Sequence, residues 1–223
     1  METMAFLGCS RGLGQAVTLE MNRRSLCSRA LLAARSTSSL QELGKSMDFP
    51  NKILTIDFYK EESLEVLFAE LKQLEPSRMF YFAGGGPYGN FQEKNWKDHQ
   101  WALQVSFLTP AKILHYLMQS QFKNLKQIVF IGSDIADSKA DPMASSYAAS
   151  KHGLKGLIMS VQEEKPDFDL RLFRPGYMNT SMLPKNSKPR AEGLPLLEVE
   201  KGASQFVDWV MDPLGSKLFT PEP

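Results

Sequence analysis

Cysteine is nearly absent from this chain, with only Cys9 and Cys27 among 223 residues. Two thiols cannot make a disulfide framework, and one lies in a glycine-rich stretch, so a reducing compartment fits best. Histidine is equally scarce: His99, His115 and His152 are scattered without ligand spacing, which argues against a metal site. Net charge is small as well, 26 basic residues against 25 acidic leaving +1. That balance supplies no long-range field to gather nucleic acid or an anionic membrane and favours a small-molecule or protein partner. No apolar run approaches the ~20 residues of a membrane span, and the opening METMAFLGCSRG lacks the order of a secretory signal. A soluble, cytoplasmic protein is expected. Repeats, low-complexity tracts and flexible linkers are missing too, so residues 1–223 are read as a single domain.

What is present is alternation. Short apolar runs at 4–7, 30–34, 52–56, 79–83, 127–131, 170–173 and, weakly, 217–220 read as strands, several apolar throughout, as in strands covered on both faces. Between them Leu64, Leu67, Phe68, Leu71 and Leu74 recur at helical spacing before Pro76. A longer helix is expected from about Asn95 to Gln121, kinked or divided at Thr109-Pro110, and another from Ser145 to about Glu164. This order implies an α/β fold: a doubly wound parallel sheet of about seven strands with helices on both faces. In such folds, function sits beyond the carboxyl ends of the strands.

The first such end reads GCSRGLGQA, with Gly8, Ser10, Arg11, Gly12, Leu13 and Gly14 ahead of a helix. Glycines there serve a tight strand-to-helix turn, or let backbone amides and a helix N-terminus approach a pyrophosphate. The position after the first strand favours a dinucleotide. No carboxylate closes the second strand to take ribose hydroxyls; Arg35 stands there instead. With Arg11 it suits a 2′-phosphate, which points to NADP(H) over NAD(H); the alternative is two solvated arginines. Asp57 can accept from an adenine amino group or cap the following turn. Three successive glycines, Gly84 to Gly86 after Ala83, rarely serve packing, so this loop is read as backbone passing under a cofactor.

Tyr147 and Lys151, in SSYAASKHG, fall one helical turn apart on one face. Either Tyr packs and Lys is solvated, or Lys151 lowers the phenol's pKa for proton transfer. Taken with the glycine spacing, Ala83-Gly84-Gly85, Ser133 fourteen residues upstream, and Pro175-Gly176, the pair resembles the short-chain dehydrogenase/reductase family. The resemblance spans nearly the whole chain. It implies strand order 3-2-1-4-5-6-7, a nicotinamide cofactor, and hydride transfer to or from a small carbonyl or alcohol substrate. It makes Tyr147 the proton donor or base, Lys151 its partner and a ribose ligand, Ser133 the holder of the substrate oxygen, and Thr180 a contact for carboxamide or phosphate. Leu7 stands for a family threonine, Tyr177 and Met178 for an aliphatic residue, and Phe82 and Ser106 for two family asparagines. Ser106 is taken as the member of the proton relay. Because of Phe82 and Ser106, a catalytically weak dinucleotide sensor or scaffold is the rival reading.

Residues 177–197 carry the prolines, lysines and glycine of a mobile substrate-side cover. Lys185, Lys188 and Arg190 within it either attract an acidic substrate or are simply solvated; Met178, Met182 and Leu183 suggest an apolar wall, with Tyr88 opposite. The family also implies a homodimer or homotetramer built on the two long helices, with Trp101, Leu108, Leu157 and Ile158 either outward candidates or simple core residues.

Overall fold

The computed structural model describes residues 2–120, 122–137 and 141–223. Seven strands form one sheet: β1 (Glu2–Leu7), β2 (Cys27–Ala34), β3 (Asn51–Thr55), β4 (Arg78–Tyr81), β5 (Gln127–Ile131), β6 (Asp169–Phe173) and β7 (Leu218–Phe219). All pair in parallel, in the order β3-β2-β1-β4-β5-β6-β7. The expected strands and their order are therefore present, with β4 ending two residues sooner than anticipated. The order reverses direction between β1 and β4, where the loops on either side part and open a crevice.

Each face of the sheet carries its own core. One is closed by α3 (Glu61–Leu74), α5 (Thr109–Gln119) and α6 (Ser145–Glu163), through Leu64, Leu67, Leu71, Ile113, Leu117, Leu154 and Ile158. The other is closed by α1 (Gly12–Arg23), α2 (Thr37–Lys45) and α8 (Val199–Met211), the short α7 (Lys188–Ala191) lying between α6 and α8 in the chain. Helix α8 was not anticipated from the sequence, although Ala203, Phe206, Val207 and Val210 carry its apolar stripe. Its Phe206 sits among the rings of Phe80, Phe82 and Phe173 at 5.6, 5.5 and 5.0 Å.

The helix expected from Asn95 to Gln121 is neither broken nor sharply ended at Pro110. It runs as α4 (Trp96–Leu103), a π-helical turn (Gln104–Leu108) and α5, with helical backbone maintained across the joins. Pro110 has no N–H for the Ser106 carbonyl four residues back, and the wider turn absorbs the missing bond: Thr109 N–H donates to Gln104 O, five residues back. The Gln121 end lies outside the described residues. Of the outward candidates, Ile158 is fully buried in the core and Trp101 lies at the crevice; Leu157 packs partly on the core, and only Leu108 stands well exposed.

Candidate active site

A cleft of about 570 Å³ opens along the carboxyl ends of the strands. Gly8, Ser10, Arg11, Gly12, Leu13, Gly14, Arg35, Asp57, Ala83, Gly84, Gly85, Ser133, Tyr147, Lys151, Pro175, Gly176 and Thr180 all line it. Ser106 does not. Seven different strand-end or helix segments thus converge.

The glycine turn is built by close approach. Gly8 has φ +91°, and a Cβ there would lie 2.4 Å from Ala83 N; one on Gly14 would lie 2.6 Å from Gly8 O. Gly12 also needs φ +58°, and Thr180 Cγ2 lies 3.9 Å from where its Cβ would be. The turn delivers α1 with Arg11 at its N-cap and no side chain on the first-turn amides. Such a cradle with free donors at a helix N-terminus fits the pyrophosphate of a dinucleotide. At the end of β2 the Arg35 guanidinium lies 5.5 Å from the Trp101 ring centroid. Ser36, which caps α2 by accepting from Ser39 N–H at 3.3 Å, lines the same corner with Ser39. Asp57 does cap its turn, accepting from Tyr59 N–H at 3.1 Å, while remaining part of the wall.

The three glycines after Ala83 line the cleft and also serve packing, a second role the sequence expectation set aside. A Cβ on Gly84 would meet Lys151 Nζ and Ser106 Oγ at 3.3 Å, one on Gly85 the Trp101 ring at 3.3 Å, and one on Gly86 Tyr147 Cβ at 3.0 Å. Side chains of α4, the π-helical turn and α6 press against this loop, so that a Cβ at any of the three would crowd them, and Gly85 also needs φ +145°.

At the inner end, α6 does set Tyr147 and Lys151 on one face, with Lys151 Nζ 5.4 Å from the phenol ring centroid. Lys151 is 3% exposed and donates to Ile131 O at 2.6 Å. Burial pushes its ammonium down to about 7. Burial also pushes the Tyr147 phenol up to about 12; the Ser133 hydroxyl pulls it down and the Asp134 carboxylate pushes it further up. Lys151 does not emerge as the group that lowers the phenol's pKa, because a desolvated amine holds its own proton weakly. Ser133, at the end of β5, accepts from Ile135 N–H at 3.3 Å and stands 3.4 Å from Asp134 Oδ1.

Ser106 is fully buried behind this group. Its hydroxyl donates to Gly85 O at 2.9 Å and accepts from Gly85 N–H at 3.0 Å. It shapes the loop instead of facing the cleft. Phe82, in the other asparagine position, joins the aromatic cluster under α8. That explains how an apolar ring occupies the site without disrupting it.

Across the mouth, Tyr177 OH donates to Asp141 Oδ2 at 3.0 Å, and Lys188 N–H donates to Tyr88 OH at 3.0 Å. The 177–197 segment is tied down by a Met178–Leu197 bridge and by Arg190, which donates to Asn179 Oδ1 at 3.0 Å and Thr180 O at 3.2 Å. Lys185, Lys188 and Arg190 line no part of the cleft, whereas Met178, Met182 and Leu183 do. Sequence reasoning passed over Ser36, Ser39, Asp134 and Asp141, and read Trp101 as an outward or a core residue without placing it at the cleft. Ser36 and Asp134 carried a local signal, being adjacent to Arg35 and Ser133.

Among the described residues no cluster suits a metal ion, and no helix is long and apolar enough to cross a membrane. The parallel sheet, the glycine cradle at its switch point and the tyrosine–lysine pair beside it define a dinucleotide-binding oxidoreductase. Residues 2–191 match the family described as short chain dehydrogenase, and the chain belongs to that family. It is 22% identical over 218 residues to a 7beta-hydroxysteroid dehydrogenase of Mediterraneibacter gnavus, covering 95% of this chain and 82% of that one. Among solved structures it is similar to an alcohol dehydrogenase from Thermococcus sibiricus complexed with 5-hydroxy-NADP. That match has a TM-score of 0.84 and 21% identity and covers 99% and 95% of the two chains. A 4-hydroxyisoleucine dehydrogenase complexed with NADH matches with a TM-score of 0.84 at 18% identity, covering 100% and 97%.

Proposed function

We propose that the protein is an NADP(H)-dependent reductase of a small carbonyl compound, or a dehydrogenase of the corresponding alcohol. The observation that carries this reading is the convergence of Ser133, Tyr147 and Lys151 at the inner end of a cleft whose other end is the glycine cradle. The bound nicotinamide supplies or accepts the hydride. Gly8, Ser10, Arg11, Gly12, Leu13 and Gly14 hold the pyrophosphate, and Arg35 with Ser36 takes the 2′-phosphate through charge-assisted bonds. Asp57, Ala83, Gly84 and Gly85 flank the adenosine, and Pro175, Gly176 and Thr180 flank the carboxamide. Ser133 holds the substrate oxygen within reach of the Tyr147 hydroxyl, which donates its proton as the carbonyl is reduced. Lys151 holds the ribose, and an added positive charge beside the phenol lowers its proton affinity from the raised value of the free protein.

Met178, Met182 and Leu183 form the apolar side of the substrate space, which the tied-down 177–197 segment covers. The two free, buried thiols suit a reducing, cytoplasmic setting. Assembly as a homodimer or homotetramer uses the outer helical face that exposes Leu108. A sensor of the same fold is the second reading, favoured by the engagement of Ser106 with Gly85. NADPH oxidation followed against ketones, aldehydes and diketones separates the two: turnover that vanishes in Tyr147→Phe supports the enzyme. Cofactor binding without turnover on any panel member supports the sensor.

A further inference from the structure

Arg35 follows β2 as an exposed side chain, and an arginine stem left to itself samples many rotamers that a bound phosphate must freeze. Here it does not stand alone. Across the crevice, on α4, the centroid of the Trp101 ring lies 5.5 Å from the guanidinium carbon, inside the about 6 Å at which the π face of an indole attracts a cation. The ring is itself held. It packs against the core, lines the same cleft as Val105 one turn on, and lies beside Gly85, where a Cβ would be 3.3 Å from Trp101 Cη2 and Cζ3. No ion pair among the described residues engages Arg35. A carboxylate in the place of Trp101 would take two of the five guanidinium N–H donors; an indole attracts the charge through its ring quadrupole and leaves the fork for a phosphate. The hydroxyls of Ser36 and Ser39, 2.9 Å apart, line the same corner and suit further phosphate oxygens.

We propose that Trp101 is a positioning residue for cofactor choice: its ring braces the Arg35 guanidinium across the crevice, so that the fork of donors is in place when the 2′-phosphate of NADP(H) arrives. This role rests on the NADP(H) reading above and adds to it a residue from the opposite wall. The gain is one of preorganisation, because the stem is restricted before the phosphate binds and less freedom is lost on binding. NADH lacks that phosphate and draws nothing from the brace. Trp101 therefore acts on the difference between the two dinucleotides and not on the half they share.

Calorimetric binding tests this without any turnover. The ligands are NADPH, NADH, adenosine 2′,5′-bisphosphate and adenosine 5′-monophosphate; the proteins are wild type, Trp101→Leu, Trp101→Phe, Arg35→Leu and the double variant Trp101→Leu with Arg35→Leu. Trp101→Leu should weaken NADPH and the bisphosphate about 2–5-fold, the fold-change that a cation–π contact at an exposed site carries. NADH and the monophosphate should bind as before, which also reports an intact cleft. Trp101→Phe keeps an aromatic face and should restore most of the loss. Without Arg35, removing Trp101 should weaken NADPH no further, because the two residues act as one. Equal losses for NADPH and NADH would put the ring on the adenine itself and overturn the brace, as would a loss of NADPH affinity that persists in the Arg35→Leu background. If Arg35→Leu leaves the ratio of NADPH to NADH affinity unchanged, the cofactor reading fails and the brace fails with it. If Arg35→Leu lowers that ratio and Trp101→Leu does not, the cofactor reading stands and the brace alone is overturned.

Discussion

Lys151 should make the free protein less stable at neutral pH than a chain without that amine. Its pKa falls from 10.5 to about 7 on folding. Between those values the unfolded chain binds a proton that the folded chain does not, so stability rises with pH across the window and is lost as pH falls through it. At 1.36 kcal/mol per unit, the titration destabilises the fold by about 4 kcal/mol at pH 7, about 2 at pH 9 and about 1 at pH 10. Lys151→Met removes this term and keeps much of the side-chain volume. It also strands Ile131 O, which accepts from Nζ at 2.6 Å, at a cost of about 1–3 kcal/mol. The two effects have opposite sign and only one depends on pH. Lys151→Met should therefore be more stable than wild type by about 1–3 kcal/mol near pH 7, and the two stabilities should cross near pH 9. Urea denaturation of both proteins without cofactor at half-unit steps from pH 6.5 to 10 measures this. A constant difference across the range, or a variant less stable at every pH, would refute the claim that burial of the amine sets its proton affinity.

Tyr147→Phe should lower kcat at least 100-fold while leaving NADPH affinity within a few-fold, measured by steady-state kinetics and calorimetry. Arg35→Asp should weaken NADPH binding about 10–100-fold, the worth of lost charge-assisted bonds, and change NADH binding far less; equal effects on both would remove Arg35 from cofactor choice. Gly8→Ala puts a Cβ 2.4 Å from Ala83 N at φ +91°. Backbone strain alone costs about 1–3 kcal/mol there, so thermal unfolding should start well below wild type and dinucleotide binding should be lost.

How much could be read beforehand depended on whether a signal was local. The strand Gln127–Ile131 is an apolar run behind one glutamine, and the sequence shows it to the residue, whereas β1 and β2 begin two and three residues before their apolar runs. The glycine turn and the Tyr147–Lys151 pair were legible because fixed spacings express them. Helix α8 was missed although its apolar stripe is present and Asp212-Pro213 marks its end, since no capping side chain marks its start. The packing role of Gly84 to Gly86 was not legible because what they accommodate comes from Ser106, Trp101 and Tyr147, residues 16 or more positions away. Trp101 was legible as an interface or a core residue, and its place in the cleft wall was hidden for the same reason.

Residue order alone determined the α/β alternation, the placement of glycines where a strand must turn sharply into a helix, and the pairing of a phenol with an amine one turn on. These follow from backbone sterics and helical period, which act over a few residues. Tertiary structure alone decided how protons are held. Whether Lys151 keeps its charge, whether Ser106 faces the cleft or its own loop, and whether Asp134 reaches Ser133 all depend on which distant groups remove water from each site. Desolvation and Coulomb interaction act through space, and only folding fixes those distances.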